Sequence, residues 1–254
     1  MPDALFQGFP MRAGHRAQAW RHRPAYLKPR HFHPEPEINV VLSGWARLGV
    51  GREEALLGPG EFVYLAPMQD HVLLEASDDL EFFVFALEPA LAEQALGSSV
   101  LRAWRAAPLS RGDTLRWADR LSHLELSEDA ATTTRSVVEL FREAAPHLTP
   151  GHTASRRALR ALLASPSTSS SELAQSLGVS RSELSRRVHG DWAVPLVELR
   201  SRSKLSRFVS AISAGHELTS AAFEADFGSY AQCHRVFRKA FGCSPSEYVR
   251  SVMG

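Results

Sequence analysis

The chain has 254 residues, 44% hydrophobic and 22% charged, a globular composition that excludes a disordered or low-complexity polymer. Its length admits one large or two ordinary domains, and no apolar run reaches the roughly 20 residues of a membrane span. The formal charge of +1 conceals an asymmetry: residues 1–151 carry 15 Lys and Arg against 20 Asp and Glu (net −5), residues 152–254 carry 14 against 8 (net +6).

Residues 1–25 mix scattered Arg and His and predict an irregular start or an edge strand. They lack the apolar core of a secretory signal. With only two cysteines, Cys233 and Cys243, the expectation is a reduced, cytoplasmic protein. From Tyr26 to about Leu87 the pattern is β: Ile38–Leu42, Ala46–Val50, Glu61–Leu65, His71–Leu74 and Leu80–Leu87 are apolar runs punctuated by Gly and Pro turns. Many short strands of this kind predict a small barrel or jelly roll.

A constellation of ligand-type residues sits in that region. His31 and His33 are two apart, so on a strand they point the same way. Pro34 and Pro36 interrupt the strand before Glu37, so that argument stops at the His pair. His31-x-His33-x3-Glu37-x6-Gly44 is similar to the first cupin motif, and Gly60-x5-Ala66-Pro67-Met68-x2-His71 resembles the second. Ala25, Ala66, Met68 and Glu75 depart from that pattern. The resemblance implies that His31, His33, Glu37 and His71 converge on one ion, and three imidazoles with a carboxylate suit Mn, Fe, Ni, Cu or Zn. In the other reading, the same groups form a metal-free pocket, bonding a small ligand or one another.

Residues 88–150 turn helical. Leu91, Ala92, Ala95 and Leu96 form one stripe; Trp104 and Leu109 follow, then Leu115, Ala118, Leu121 and Leu124. Ser127-Glu128-Asp129 before Val137, Val138, Leu140 and Phe141 predicts a capped amphipathic helix. These helices would form a homodimer contact or simply pack on the barrel. Pro146–His152, with two Pro and a Gly, marks a domain boundary.

Arg156–Leu163 opens a second domain as a short amphipathic helix. In Ser171–Val188, Leu173, Ala174 and Leu177 lie inward, Gly178 allows a turn, and Ser180 caps a second helix with Glu183 at the capping-box position. This is a helix-turn-helix pattern whose outward residues are Ser182, Ser185 and Arg186. Val194–Ile212 reads as one connecting helix of about 28 Å, approaching the ~34 Å of a DNA turn. Thr219–Arg250 repeats the pattern, with a turn at Asp226–Ser229 and Ser229 as N-cap. Ala222, Phe223, Cys233, Val236, Phe237, Ala240 and Phe241 are its apolar positions, and Gln232, His234, Arg235 and Lys239 face outward. Such a face suits a major groove.

Phe227-Gly228-Ser229-Tyr230, Arg235–Lys239 and Phe241–Tyr248 resemble the C-terminal signature of AraC/XylS transcription regulators, with Asp226 where that family usually has Gly. The resemblance implies a protein that binds double-stranded DNA, is controlled by a small-molecule effector or metal, and is a homodimer with RNA polymerase as a further partner. DNA contacts carried over by position are Ser182, Ser185, Arg186, Tyr230, Gln232, His234 and Arg235. The expected fold is α+β and multidomain: a cupin-like sensor barrel over 1–95, a helical dimerisation region over 96–150, and an all-α double helix-turn-helix domain over 155–252. The alternative is a metal-dependent cupin enzyme, a dioxygenase or isomerase, fused to a DNA-binding module. No general base, substrate clamp, phosphate loop or nucleophile elbow stands out, so a non-enzyme is expected. A constitutive DNA-binding protein with a purely structural barrel is the weaker third reading.

Overall fold

Two β-sheets stacked face to face carry the first part of the chain. The structure, a computed structural model, describes residues 5–9, 11–22, 29–96, 107–148 and 153–253. Ala25, Tyr26, Trp104 and the 149–152 part of the expected boundary lie outside them. The strands are β1 (Leu5–Phe6), β2 (Ala17–His22), β3 (His31–Phe32), β4 (Glu37–Ser43), β5 (Ala46–Val50), β6 (Glu53–Leu57), β7 (Phe62–Leu65), β8 (His71–Ala76) and β9 (Glu81–Leu87). One sheet has the order β1-β3-β8-β5-β6, the other β2-β9-β4-β7. The expected barrel is therefore a two-sheet, jelly-roll-like sandwich rather than one closed ring. The chain changes sheets at Gly58-Pro59-Gly60, where Pro59 has no N–H for a ladder. In the first 25 residues, β2 is indeed an edge strand, paired antiparallel with β9, while β1 runs parallel to β3.

Alternation decides what each sheet face buries. Val41, Val63, Leu65, Phe82 and Val84 face Ala46, Leu48 and Val50 of the opposite sheet. The other face of the four-stranded sheet presents Ile38, Val40, Phe62, Tyr64, Phe83 and Phe85. Helices α2 (Arg111–Leu126) and α3 (Ala130–Ala144) cover that face, following α1 (Pro89–Leu96). Trp117 lies against Phe62 and Phe85, and Phe141 against Tyr64 and Phe85. Burial on both faces is why β9 reads as an unbroken apolar run. The stripe on α2 is Trp117, Leu121 and Leu124; Leu115, expected inward, is 64% exposed because it stands off that stripe. Asp129 caps α3 by accepting from the Ala131 and Thr132 amides.

The remainder is helical: α4 (Thr153–Ala164), α5 (Ser170–Ser176), α6 (Arg181–Trp192), α7 (Leu196–Ser213), α8 (Leu218–Glu224), α9 (Tyr230–Phe241) and α10 (Pro245–Met253). Ser169 and Glu172 form a full capping box on α5, and Ser180 and Ser229 cap α6 and α9. α7 is continuous over 18 residues, about 27 Å long. On α8, Ala221 and Ala222 are buried, whereas Phe223 is 57% exposed, one position off the inward stripe. Among the described residues no helix is long and apolar enough to cross a membrane.

Candidate functional site: a buried histidine centre and two helix-turn-helix motifs

His31, His33, Glu37 and His71 meet between the sheets, and all four are buried. Strand β3 ends at Phe32, so His33 lies just beyond it, yet it joins His31 and His71. The register His31↔His71 sets the first pair side by side, with ring centroids 4.2 Å apart. One ligand nitrogen from each imidazole lies within 4.8 Å of the others.

The backbone fixes the orientation of each ring. Nδ1 of His31 lies 2.9 Å from the Pro29 carbonyl, Nδ1 of His33 lies 3.0 Å from that of Glu35, and Nδ1 of His71 lies 3.2 Å from that of Gln69. A ring nitrogen facing a carbonyl must carry the proton and donate, so these contacts assign Nδ1–H to all three rings. In the neutral rings Nε2 is then the lone-pair donor. Glu37 places Oε2 3.1 Å from His33 Nε2 and Oε1 3.5 Å from His71 Nε2. His33 Nε2 is nonetheless buried without a well-directed hydrogen bond. A lone pair and a carboxylate at that range require a proton or a cation between them.

In the metal-free protein the proton resides on His33. Burial opposes its charge, but the Glu35 and Glu37 carboxylates close to its two ring nitrogens win and raise its pKa to about 9. Burial lowers His31 to about 2 and His71 to about 4. Glu37, which burial alone would push up, is held at about 2 by His71 and by its bond to His33. The centre is thus neutral imidazoles beside one ion pair. The space beside it is small, about 50 Å³, with Trp20, Asn39, Leu48 and Phe82 in its walls. A larger cavity of about 410 Å³ lies between the sandwich and the helical domain. Pro34, Pro67, Met68 and Leu163 supply apolar wall there, and Arg160, Arg207 and Glu93 supply charge.

The two helix-turn-helix motifs present their expected faces unequally. Ser182, Ser185 and Arg186 are exposed on α6, where Leu184 and Val188 are buried. Gln232 and Arg235 are exposed on α9; Tyr230 and His234 are half-buried, with ring centroids 6.1 Å apart. Gln232 also accepts from the Gly228 amide through Oε1, so its side chain braces the turn. Cys233, Phe237 and Ala240 form the inner stripe, and Val236 is only partly covered. Both cysteines are free, and burial pushes the Cys233 thiol up to about 12.

One feature of the domain junction carries no motif. Arg202 of α7 is buried and reaches Asp70 Oδ1 at 2.7 Å and the Met68 carbonyl at 2.9 Å. Arg30 holds the other Asp70 oxygen at 2.9 Å. Gln69 donates through Nε2 to the Trp192 carbonyl, at the end of α6, at 2.8 Å. A charged residue in mid-helix reads as solvent-facing in a sequence, and nothing local marks Arg202 otherwise.

The profile of the AraC-like ligand binding domain matches residues 10–180, and that of the helix-turn-helix domain matches residues 173–251. A search among curated proteins returned no match. Among solved structures, ToxT from Vibrio cholerae is 14% identical over 94% of this chain and 98% of that chain, with a TM-score of 0.50. ToxT bound to (E)-4-(8-methylnaphthalen-1-yl)but-3-enoic acid is 13% identical over 92% of this chain and 97% of that one, also with a TM-score of 0.50. At such identity the likeness is one of fold. The two matched domains, in the order in which the sandwich and the paired helix-turn-helix motifs stand, show that the chain belongs to the AraC family, as a transcription regulator with an N-terminal ligand-binding domain and a C-terminal DNA-binding domain.

Proposed function

We propose that this regulator responds to a divalent transition metal held by His31, His33, Glu37 and His71. The observation that carries the reading is the shared orientation of the three rings: each gives Nδ1–H to a backbone carbonyl, which leaves Nε2 beside the Glu37 carboxylate. Carbonyl partners of this kind orient metal-ligating histidines and raise their basicity. The orphaned His33 Nε2 fits the same role. A bound ion would supply the positive charge that the His33 proton supplies in its absence, and would tie β3, β4 and β8 together. The adjoining space of about 50 Å³ is far below the roughly 300–1,000 Å³ of an ordinary organic-ligand pocket. Elemental mass spectrometry on untagged protein, with a His31→Ala/His33→Ala control, tests the reading. About one metal per chain, lost in the control, is expected; a wild type that stays metal-free after reconstitution would overturn it. The centre is read as a sensor, so a metal-loaded protein should bind without consuming any ligand.

A second reading is favoured by the 410 Å³ cavity, which lies in the size range of an organic effector and pairs apolar walls with two cations, Arg160 and Arg207, against one carboxylate, Glu93. An organic anion with an apolar body fits that lining. ToxT, a relative in fold, has been solved with an unsaturated fatty acid bound. The two sites are separate, and ligand binding that survives the double histidine substitution would assign the effector to the cavity.

For DNA, Ser182, Ser185 and Arg186 of α6 and Tyr230, Gln232, His234 and Arg235 of α9 are the proposed contacts, in a cytoplasmic protein. The exposure and basic charge of Arg186 and Arg235 make them the strongest of the set. Homodimerisation through the helices after the sandwich is supported by Leu115 and Leu126, which are 64% and 82% exposed. Eleven residues apart, they share one face of α2 at about 3.6 residues per turn. Leu115→Ser/Leu126→Ser should sediment as a monomer where the wild type is a dimer.

A further inference from the structure

We infer that the segment Ala66–His71 is a clasp that carries the state of the histidine centre to the C-terminal end of α6, the second helix of the first DNA-reading motif, and to the connecting helix α7. The inference deepens the metal reading and rests on it for its input. On its inner side the segment belongs to the centre. His71 is a proposed ligand, its Nδ1 donates to the Gln69 carbonyl, and the Met68 amide donates to the His33 carbonyl at 2.9 Å. On its outer side Met68, Gln69 and Asp70 grip the DNA-binding domain. The Met68 carbonyl and Asp70 Oδ1 accept from Arg202 of α7, and the Gln69 side chain donates to the Trp192 carbonyl that ends α6. No described residue outside the clasp is needed to connect a ring of the centre to a helix of the motif: His71, Gln69 and Trp192 are consecutive bonding partners.

The clasp has the physical properties of an element with a limited set of arrangements. Its charges are buried and mutually compensated: Asp70 lies between Arg30 and Arg202, and Glu198 takes the second arm of Arg202 at 3.2 Å. Pulling Arg202 away from Asp70 would leave its buried guanidinium with only the half-exposed Glu198, which opposes independent movement of the two domains. Met68 holds φ +67°, a region that a branchless but bulky side chain leaves unless its surroundings insist. Here the insistence comes from both domains at once, through the Met68 amide and the Met68 carbonyl. A shift of His71 or His33 toward an ion therefore cannot leave Arg202 and Trp192 where they were.

Amide hydrogen exchange on full-length protein, metal-free and loaded with Co(II), tests this in the wild type and in Arg202→Met. The substitution removes the guanidinium that lies over Phe32, replaces it with an apolar thioether, and leaves Asp70 paired with Arg30, so no buried charge is orphaned. In the wild type, Co(II) is expected to change exchange in Ala66–His71 and also at the end of α6 and in α7, by roughly fivefold or more, the scale of ordinary allosteric coupling. In Arg202→Met, Co(II) should still bind and still change Ala66–His71 and, through Gln69, the end of α6, with the α7 response lost. Equal α7 responses in both proteins, or no α6 and α7 response in a wild type that has bound Co(II), would overturn the clasp. Arg202→Lys guards against misfolding of the first variant: it keeps a charge for Asp70 without the second arm and should respond at an intermediate level. A wild type that binds no Co(II) fails the metal reading alone. The clasp is then read in the metal-free proteins, where Arg202→Met must speed exchange in Ala66–His71 and at the start of α7, and identical exchange there rejects it.

Discussion

At the scale of single residues, the histidine centre makes stability depend on pH in a way that can be signed group by group. His33 has its pKa raised to about 9, so the protein gains stability from its charge below the ordinary value of 6.5 and loses it as pH climbs through 9. His31 and His71 are depressed to about 2 and about 4, so they take up protons on unfolding whenever pH falls below 6.5. Glu37, depressed to about 2 from 4.5, adds a further loss below pH 4.5. The metal-free protein should therefore be most stable near pH 6.5, with a melting temperature that falls toward both pH 9 and pH 4.5. A flat profile across that window would contradict the protonation states assigned to the three rings. Acid should also strip a bound metal, since its ligands must be unprotonated. On the DNA side, Arg235 is exposed on α9 and makes no ion pair with another described residue, which leaves its guanidinium free for a base edge or phosphate. Arg235→Ala should weaken specific binding by about 1–3 kcal/mol in a titration against a selected duplex. Unchanged affinity would remove Arg235 from the interface.

At the scale of elements, the second motif turns on Asp226, which holds φ +64° where a glycine would be unstrained. The left-handed turn survives the substitution because α7 clamps it. Lys204 Nζ donates to the Asp226 carbonyl at 2.5 Å and lies over the Phe227 ring, while Arg207 stands 3.8 Å from the carboxylate. A half-exposed pair at that distance contributes well under about 1 kcal/mol, less than the roughly 1 kcal/mol that a Cβ costs in this conformation. Asp226→Gly should raise the urea midpoint slightly, and a lowered midpoint would mean that the Arg207 contact outweighs the backbone. The same elements show what a sequence displays and what it hides. Caps at Ser180 and Ser229, the unbroken α7 and the meeting of His31 with His71 were legible because each depends on local spacing or a known motif. Leu115 and Phe223 were misplaced because an apolar residue one or two positions off the stripe looks the same in a linear reading. Arg202 was invisible for a different reason: its burial depends on Asp70, 132 residues earlier in the chain.

At the scale of the whole molecule, the seam between the two domains leaves no room for a side chain where Gly51 meets Ala193. Gly51 has φ +57°, and a Cβ there would run into the Ala193 carbonyl oxygen. That oxygen already accepts from the Arg52 amide at 3.3 Å, and Ala193 itself ends α6 in a left-handed conformation at φ +55°. At β1 the seam is softer: Phe6 stacks on Phe241 of α9 with centroids 4.8 Å apart, a contact that can slide. Gly51→Ala therefore adds two costs, the left-handed penalty and displacement of the α6 terminus. Gly14→Ala isolates the first, because Gly14 has φ +78° with nothing within 4 Å of a new Cβ. The Gly14 variant should lose about 1–2 kcal/mol of stability. The Gly51 variant should lose about 1–3 kcal/mol beyond that, and should expose the amides around Arg52 and Ala193 to faster exchange. If the two variants prove equally stable and equally protected, the seam is loose at Gly51, and the junction is held by the Asp70 ion pairs, the Gln69–Trp192 bond and the Phe6–Phe241 stack.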